Sequence, residues 1–159
     1  MASLDSLRSP AKAPARRLRL VAPVAAEVDI QAALCDALKT LLLPGPEWTS
    51  LPIGQVKLTG QQAARLARIG TAVGWPDVIL LHDGKIMGLE LKREGGQLSR
   101  TRLVRVRTRS GDIRHKIVEG QTDVFPRLVA NGMRIACVSS VPEALRQLEM
   151  WGVPLRRWR

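Results

Sequence analysis

The chain has 159 residues, the length of one typical domain and short for two well-cored ones, so a single core is expected. Hydrophobic residues at 45% and charged residues at 25% exclude wholesale disorder, and no run approaches the ~18 uncharged apolar residues that cross a bilayer, the best candidate, over 38–43, being far too short. The net charge of +11 is unevenly placed: residues 1–26 carry +4, residues 100–116 carry +6, and the rest carries +1.

A near-neutral core with cationic attachments suits a polyanionic partner, nucleic acid above all, with loose association through a generic basic surface as the competing reading. Residues 1–26 combine three prolines with many alanines and no sustained periodicity, which reads as a flexible basic arm. They also lack the apolar stretch of a secretory signal, so export is not expected. From Glu27 the pattern changes: Val28, Ile30, Leu34, Leu38, Leu41 and Leu42 recur at near-helical spacing until Pro44-Gly45-Pro46 stops the run. A short strand over 48–53, a loop over 54–60 and a short helix over 61–69 follow, the helix exposing Arg65 and Arg68 and ending at Gly70.

The clearest hairpin joins 77–81 to 86–92 around Asp83-Gly84. A second joins 102–108 to 113–118 around Arg109-Ser110-Gly111-Asp112. Period-two alternation puts Val104 and Val106 on one face and Arg105 and Arg107 on the other. With Arg114 and Lys116 sharing a side, one face of this ribbon is expected to be cationic, His115 facing the apolar side. A helix over 121–131 buries Val124, Phe125 and Leu128 and is closed by Asn131-Gly132. Ile135-Ala136-Cys137-Val138 is continuous and apolar, the pattern of a strand buried on both faces. Ser140-Val141-Pro142-Glu143 is a capping box for a last helix to about Trp151. This order indicates an α/β domain, a mixed sheet with helices on its faces. Cys35 and Cys137 both lie in apolar segments and suit buried free thiols in a reducing compartment.

The chemistry-bearing residues converge on the first hairpin. Asp77 opens one strand, while Glu90 and Lys92 lie two apart on the next and share a face, with Leu89 and Leu91 opposite. In a tight hairpin the start of one strand neighbours the end of the other, so two carboxylates and an ammonium meet. Adjacent carboxylates repel unless something positive intervenes, and Mg²⁺ or Mn²⁺ takes such oxygen ligands. The structural alternative is an edge hairpin with a solvated Glu90–Lys92 pair. Glu27 and Gln31, at i and i+4 on the opening helix, add a further polar pair.

Gly74-Trp75-Pro76-Asp77, Glu90-Leu91-Lys92 and Gly96-Gln97-Leu98-Ser99 together resemble the VRR-NUC branch of the PD-(D/E)XK nuclease superfamily in its short phage and bacterial form. The resemblance runs from Glu27-x-x-Ile30-Gln31, through the arginine-bearing helix and Gln121 ahead of Leu128 and Gly132, to Leu148-x-x-Trp151-Gly152. It implies a restriction-endonuclease-like core and a Mg²⁺-dependent endonuclease, Mn²⁺ substituting, that cleaves DNA with selectivity for branched or flap structures. Asp77 and Glu90 would be metal ligands, the Leu91 carbonyl a further oxygen, and Glu27 the completion of the acidic cluster. Lys92 would orient or activate water and stabilise phosphate charge, and Gln121 would position substrate or water. A homodimer, acting in the cytoplasm of a bacterial or phage-infected cell, is part of the same implication.

Two departures are specific. The family's glutamine three positions after the serine is Arg102 here, the matching one being Gln121, so residues 100–119 read as an insertion. The asparagine often found before glycine in the preceding strand is Ile53. Expected nucleic-acid contacts are Arg105, Arg107, Arg114 and Lys116 on the inserted ribbon, Arg65 and Arg68 on the short helix, and Gln31. The ribbon could instead be a solvated protrusion or a dimerisation arm pairing through Val104, Val106 and Ile113. His82 sits at a turn and reads as inert. Trp151 and Trp158 read as packing for the last helix and tail, with stacking on bases the alternative. For the whole protein, the alternatives are a catalytically inactive nucleic-acid-binding module with a nuclease-like fold and an RNA-binding accessory protein.

Overall fold

The computed structural model describes residues 26–51, 58–108 and 110–158; residues 1–25 of the expected arm, most of the loop expected over 54–60, Ile53 and Arg109 lie outside them. The elements are α1 (Glu27–Leu41), β1 (Glu47–Ser50), α2 (Gly60–Arg68), β2 (Val78–His82), β3 (Lys85–Leu91), β4 (Arg102–Arg107), β5 (Ile113–Val118), α3 (Gln121–Ala130), β6 (Arg134–Val138) and α4 (Val141–Met150). The result is an α/β fold on a mixed four-stranded sheet in the order β1-β2-β3-β6, with β4 and β5 forming a separate two-stranded ribbon. No helix among the described residues is long and apolar enough to cross a membrane.

The β2–β3 hairpin is set by its turn. His82 pairs with Lys85, and the two residues between them, Asp83 and Gly84, take φ +51 and +65, the left-handed pair that matches strand twist in a two-residue loop. That register stacks Val78 on Leu89 and Leu80 on Met87. These side chains, with Leu91, are fully buried against Ile30, Leu34 and Leu38 of α1 and Ala144 and Leu148 of α4. Val28 leaves the expected apolar stripe: it is 51% exposed, since its place in the first turn lies to one side of the row that packs. The other face of β3 presents Gly88 and Glu90 toward α3.

β6 runs parallel to β3, pairing Glu90 with Cys137, and stands at the edge of the sheet. The expectation of a strand buried on both faces is therefore corrected: Ile135 and Ala136 are half-buried and Cys137 is exposed. Cys35 is half-buried, so neither thiol is fully enclosed. α4 begins as expected, Ser140 Oγ accepting the Glu143 N–H at 3.4 Å with proline in the first turn. The Glu143 carboxylate closes back one residue earlier than a capping box requires, on the N–H and hydroxyl of Ser139. α2 is capped by Thr59 and Gln62 in a full capping box, and Arg65 and Arg68 lie exposed on it.

The ribbon forms as expected, but its faces do not divide as expected. Val104 pairs with Lys116, Arg105 with His115 and Val106 with Arg114, and antiparallel partners share a face. Arg102, Arg114 and Lys116 therefore lie with Val104, Val106 and Val118, whereas Arg105 and Arg107 lie with Leu103, Ile113, His115 and Ile117. Cations and aliphatic side chains alternate on both faces, and His115 sits beside Arg105. The single cationic face is corrected by one residue of register.

Candidate active site

Backbone register brings the three charged groups together. Because Val78 opposes Leu89, Asp77 comes opposite Glu90, and Asp77 Oδ2 accepts the Leu91 backbone N–H at 2.9 Å. Lys92 continues the line of β3, its N–H donating to the Val138 carbonyl at 2.9 Å, and its Nζ lies 2.5 Å from Glu90 Oε1. The Glu90 side chain is 1% exposed; the alternative of a solvated surface pair is excluded by that burial.

Each of these groups is held by a partner that sequence reasoning assigned differently or could not assign. Gln31, expected to touch nucleic acid, is buried instead. Its amide nitrogen donates to Ser50 Oγ at 2.5 Å and to the Asp77 carbonyl at 3.4 Å, so it braces the start of β2. Gln121 reaches the site from the end of the ribbon: its Nε2 donates to Glu90 Oε1, and its Oε1 accepts the Ser99 N–H at 3.1 Å. Ser99 Oγ accepts the Gln121 N–H at 3.1 Å, and Thr101 Oγ1 accepts the Gly120 N–H at 2.8 Å while donating to Asp123. A Cβ on Gly120 would stand 2.5 Å from Thr101 N and closer still to the Ser99 oxygen. Only glycine allows the chain to cross itself here. The ribbon thus leaves and rejoins the domain at one pinched neck, and Gln121 emerges from that neck beside Glu90.

The charges feel their burial. Desolvation pushes the Asp77 carboxyl above its ordinary value, opposed by the Leu91 N–H and the Lys92 charge. Glu90 is raised for the same first reason, with the Asp77 charge adding to it against the hydrogen bond from Lys92. Burial works against the Lys92 ammonium, but Glu90, Glu27 and Asp77 together outweigh it and raise its pKa. Two carboxyls raised by burial, Glu90 further by the Asp77 charge, beside one ammonium form a pocket that favours additional positive charge.

The donor set fits a divalent cation of the magnesium kind. Glu90 Oε2 is buried and has no hydrogen-bond partner among the described residues, an arrangement that normally costs about 1–3 kcal/mol or more for a charged group. Among the described residues no three His, Cys, Asp or Glu side chains converge at ligating distance, so the acidic cluster expected to include Glu27 is not closed. Glu27 lines the same cleft, its Oε1 accepting the Arg93 N–H at 3.3 Å. Two carboxylates, with substrate phosphate and water completing the shell, are a usual set for Mg²⁺. The Leu91 side chain points into the core and its N–H anchors Asp77.

These groups line a cleft of about 470 Å³ that also contains Trp75, Arg100 and Arg102. None of the three was singled out as a site residue from the sequence. The signal for Arg102 was present, in its standing where a glutamine was expected, and Trp75 lay inside the quoted motif. Of the ribbon residues expected at nucleic acid, Arg105, Arg107 and Arg114 lie outside this cleft, as do Arg65 and Arg68, while Lys116 lines an adjoining groove. No protein-family model matches the chain, and no curated protein or solved structure matches it either.

Proposed function

We propose that the chain is a metal-dependent endonuclease with a restriction-endonuclease-like core that hydrolyses phosphodiester bonds in DNA. The observation that carries this reading is Glu90 Oε2, a buried carboxylate oxygen without a partner, beside Asp77 in a cleft shared with Lys92, Arg100 and Arg102. Asp77 and Glu90, with the Leu91 carbonyl, would hold Mg²⁺ or Mn²⁺. When bound, such an ion neutralises phosphate charge and makes a nearby water more acidic.

The chain's own groups account for the rest. Arg100 and Arg102 attract the phosphodiester, and the ion pair with Glu90 holds Lys92 charged where negative charge accumulates on phosphorus-bound oxygens. Gln121 occupies Glu90 Oε1 and so leaves Oε2 available, while Gln31 and the Leu91 N–H fix Asp77 from behind. In the reaction a water oxygen bonds to phosphorus, one P–O ester bond breaks, and a proton passes to the departing oxygen. The resemblance adds branched or flap DNA as substrate, a homodimer as the acting form, and the cytoplasm of a bacterial or phage-infected cell as its place.

The test compares intact and branched DNA incubated with the protein in Mg²⁺ and in EDTA. Cleavage should require Mg²⁺ or Mn²⁺, and Lys92→Ala should lower it by roughly 10²–10³-fold while retaining DNA binding in Ca²⁺. Absence of Mg²⁺-dependent cutting by the unaltered chain, with DNA binding intact, would make it a binding module instead.

A further inference from the structure

The chain has four tryptophans and one phenylalanine, and most have structural work. Trp48 and Trp151 pack against the core, Phe125 is buried, and Trp158 Nε1 donates to Glu149 at 2.9 Å. Trp75 is 39% exposed and lines the cleft with Asp77, Glu90 and Lys92. Its backbone is fixed on both sides. Gly74, at φ +84, lies so close to α3 that a Cβ there would meet Val124 Cγ2 at 2.9 Å, and buried Pro76 sits where a Cβ on Gly88 would meet it at 2.6 Å. An aromatic side chain on rigid backbone, two residues before Asp77, has the form of a stacking platform.

The cleft adjoins a groove of about 490 Å³ between α2 and β5; Ala72, Val73, Val118 and Glu119 line both. Its walls are aliphatic, Leu66 and Ala67 on one side and Ile117 on the other, with Lys116 alongside. A groove of this size and character accepts an extruded base, not a paired duplex, and Arg100, Arg102 and Lys116 offer cations to the backbone that carries it.

We propose that this protein holds the nucleotide beside the scissile phosphate unstacked, its base lying on Trp75 and the next base entering the α2–β5 groove. The strand being cut is then single-stranded, not one paired in a duplex. This rests on the nuclease reading and specifies its substrate. A fluorescent single-stranded oligonucleotide and a blunt duplex of the same sequence are compared, binding in Ca²⁺ and cleavage in Mg²⁺. The single strand should be bound more tightly and cut faster. Trp75→Ala should weaken single-strand binding roughly tenfold with an unchanged melting midpoint, Trp75→Phe should restore most of it, and Leu66→Glu should weaken it independently. Unaltered single-strand binding by Trp75→Ala, or equal cutting of blunt duplex by the unaltered chain, would overturn the proposal. In that case Mg²⁺-dependent cutting itself would still stand. Conversely, a Trp75-dependent preference for single strands without Mg²⁺-dependent cutting of either DNA would retain the platform and remove the nuclease.

Discussion

Two antiparallel hairpins of similar strand length follow one another in this chain and treat charge in opposite ways. At the open end of β2–β3 the charges are enclosed, Glu90 having Lys92 and Gln121 on one oxygen and Asp77 the Leu91 N–H, while the Asp83–Lys85 pair stands exposed at the turn. In β4–β5 five Arg and Lys side chains stand on the strands, and none of them forms an ion pair with a described residue. The first hairpin lies inside a four-stranded sheet; the second has only itself, with Leu103 64% and Ile117 65% exposed. Enclosure gives a charge fixed geometry and a shifted pKa, which suits bond chemistry. Exposure leaves it a long-range field, which suits attraction of a polyanion.

That contrast can be broken at several points. The largest expected effect is a truncation made in both hairpins. Leu89→Ala should cost about 2–5 kcal/mol of unfolding free energy, and Leu103→Ala less than about 0.5 kcal/mol, both read by denaturant titration. Equal losses would mean that the ribbon is part of the core. Gly120→Ala should follow at roughly 1–3 kcal/mol, because the neck has no room for a methyl group; wild-type stability there would show that the crossing relaxes freely.

Next comes a gain. Asp77→Asn should stabilise the ion-free protein by roughly 0.5–2 kcal/mol, since burial raises the Asp77 pKa. An acid with a raised folded-state pKa supports the fold while protonated and loses that contribution as pH climbs through the raised value. The advantage of the variant should therefore shrink toward about pH 4 and widen toward neutrality, and melting curves at both ends decide it. The smallest effect on stability belongs to the ribbon charges. Arg114→Glu with Lys116→Glu should leave the midpoint within about 0.5 kcal/mol yet flatten the salt dependence of DNA binding by about 1 per lost phosphate contact. Arg105→Glu with Arg107→Glu, on the opposite face, should flatten it less. If neither pair changes affinity or its salt dependence, the ribbon does not touch DNA.

Much of the fold was legible because local chemistry determined it. Asp83-Gly84 sets a two-residue turn, the turn sets the register, and the register puts Asp77 beside Glu90, so the central constellation could be placed from spacing alone. The ribbon shows the limit. Arg107 pairs with Ile113 across a five-residue connection, whose geometry spacing does not determine. A shift of one residue there moves every side chain of one strand to the other face relative to its partner, which is how Arg105 and Arg114 came to be expected together. The strand over Ile135-Ala136-Cys137-Val138 misled for another reason: an apolar run reports composition, whereas exposure of Cys137 depends on β6 standing at the edge of the sheet among the described residues, which no local pattern encodes. Gln31 was legible as a polar residue on the right helix face, but whether it turns toward a ligand or toward the Asp77 carbonyl is decided by tertiary contacts 46 residues apart in sequence.

The pinched crossing at Ser99 and Gly120 separates what lies on either side of it. Since both ends of the twenty-residue excursion are tied within a few ångströms, changing the length of its outer part, beyond the cleft-lining Arg102 and before Val118, costs the rest of the protein only a slowly growing loop-closure entropy. Reach can therefore vary in such a chain while the two ends of the excursion keep Arg100, Arg102 and Glu119 at the cleft.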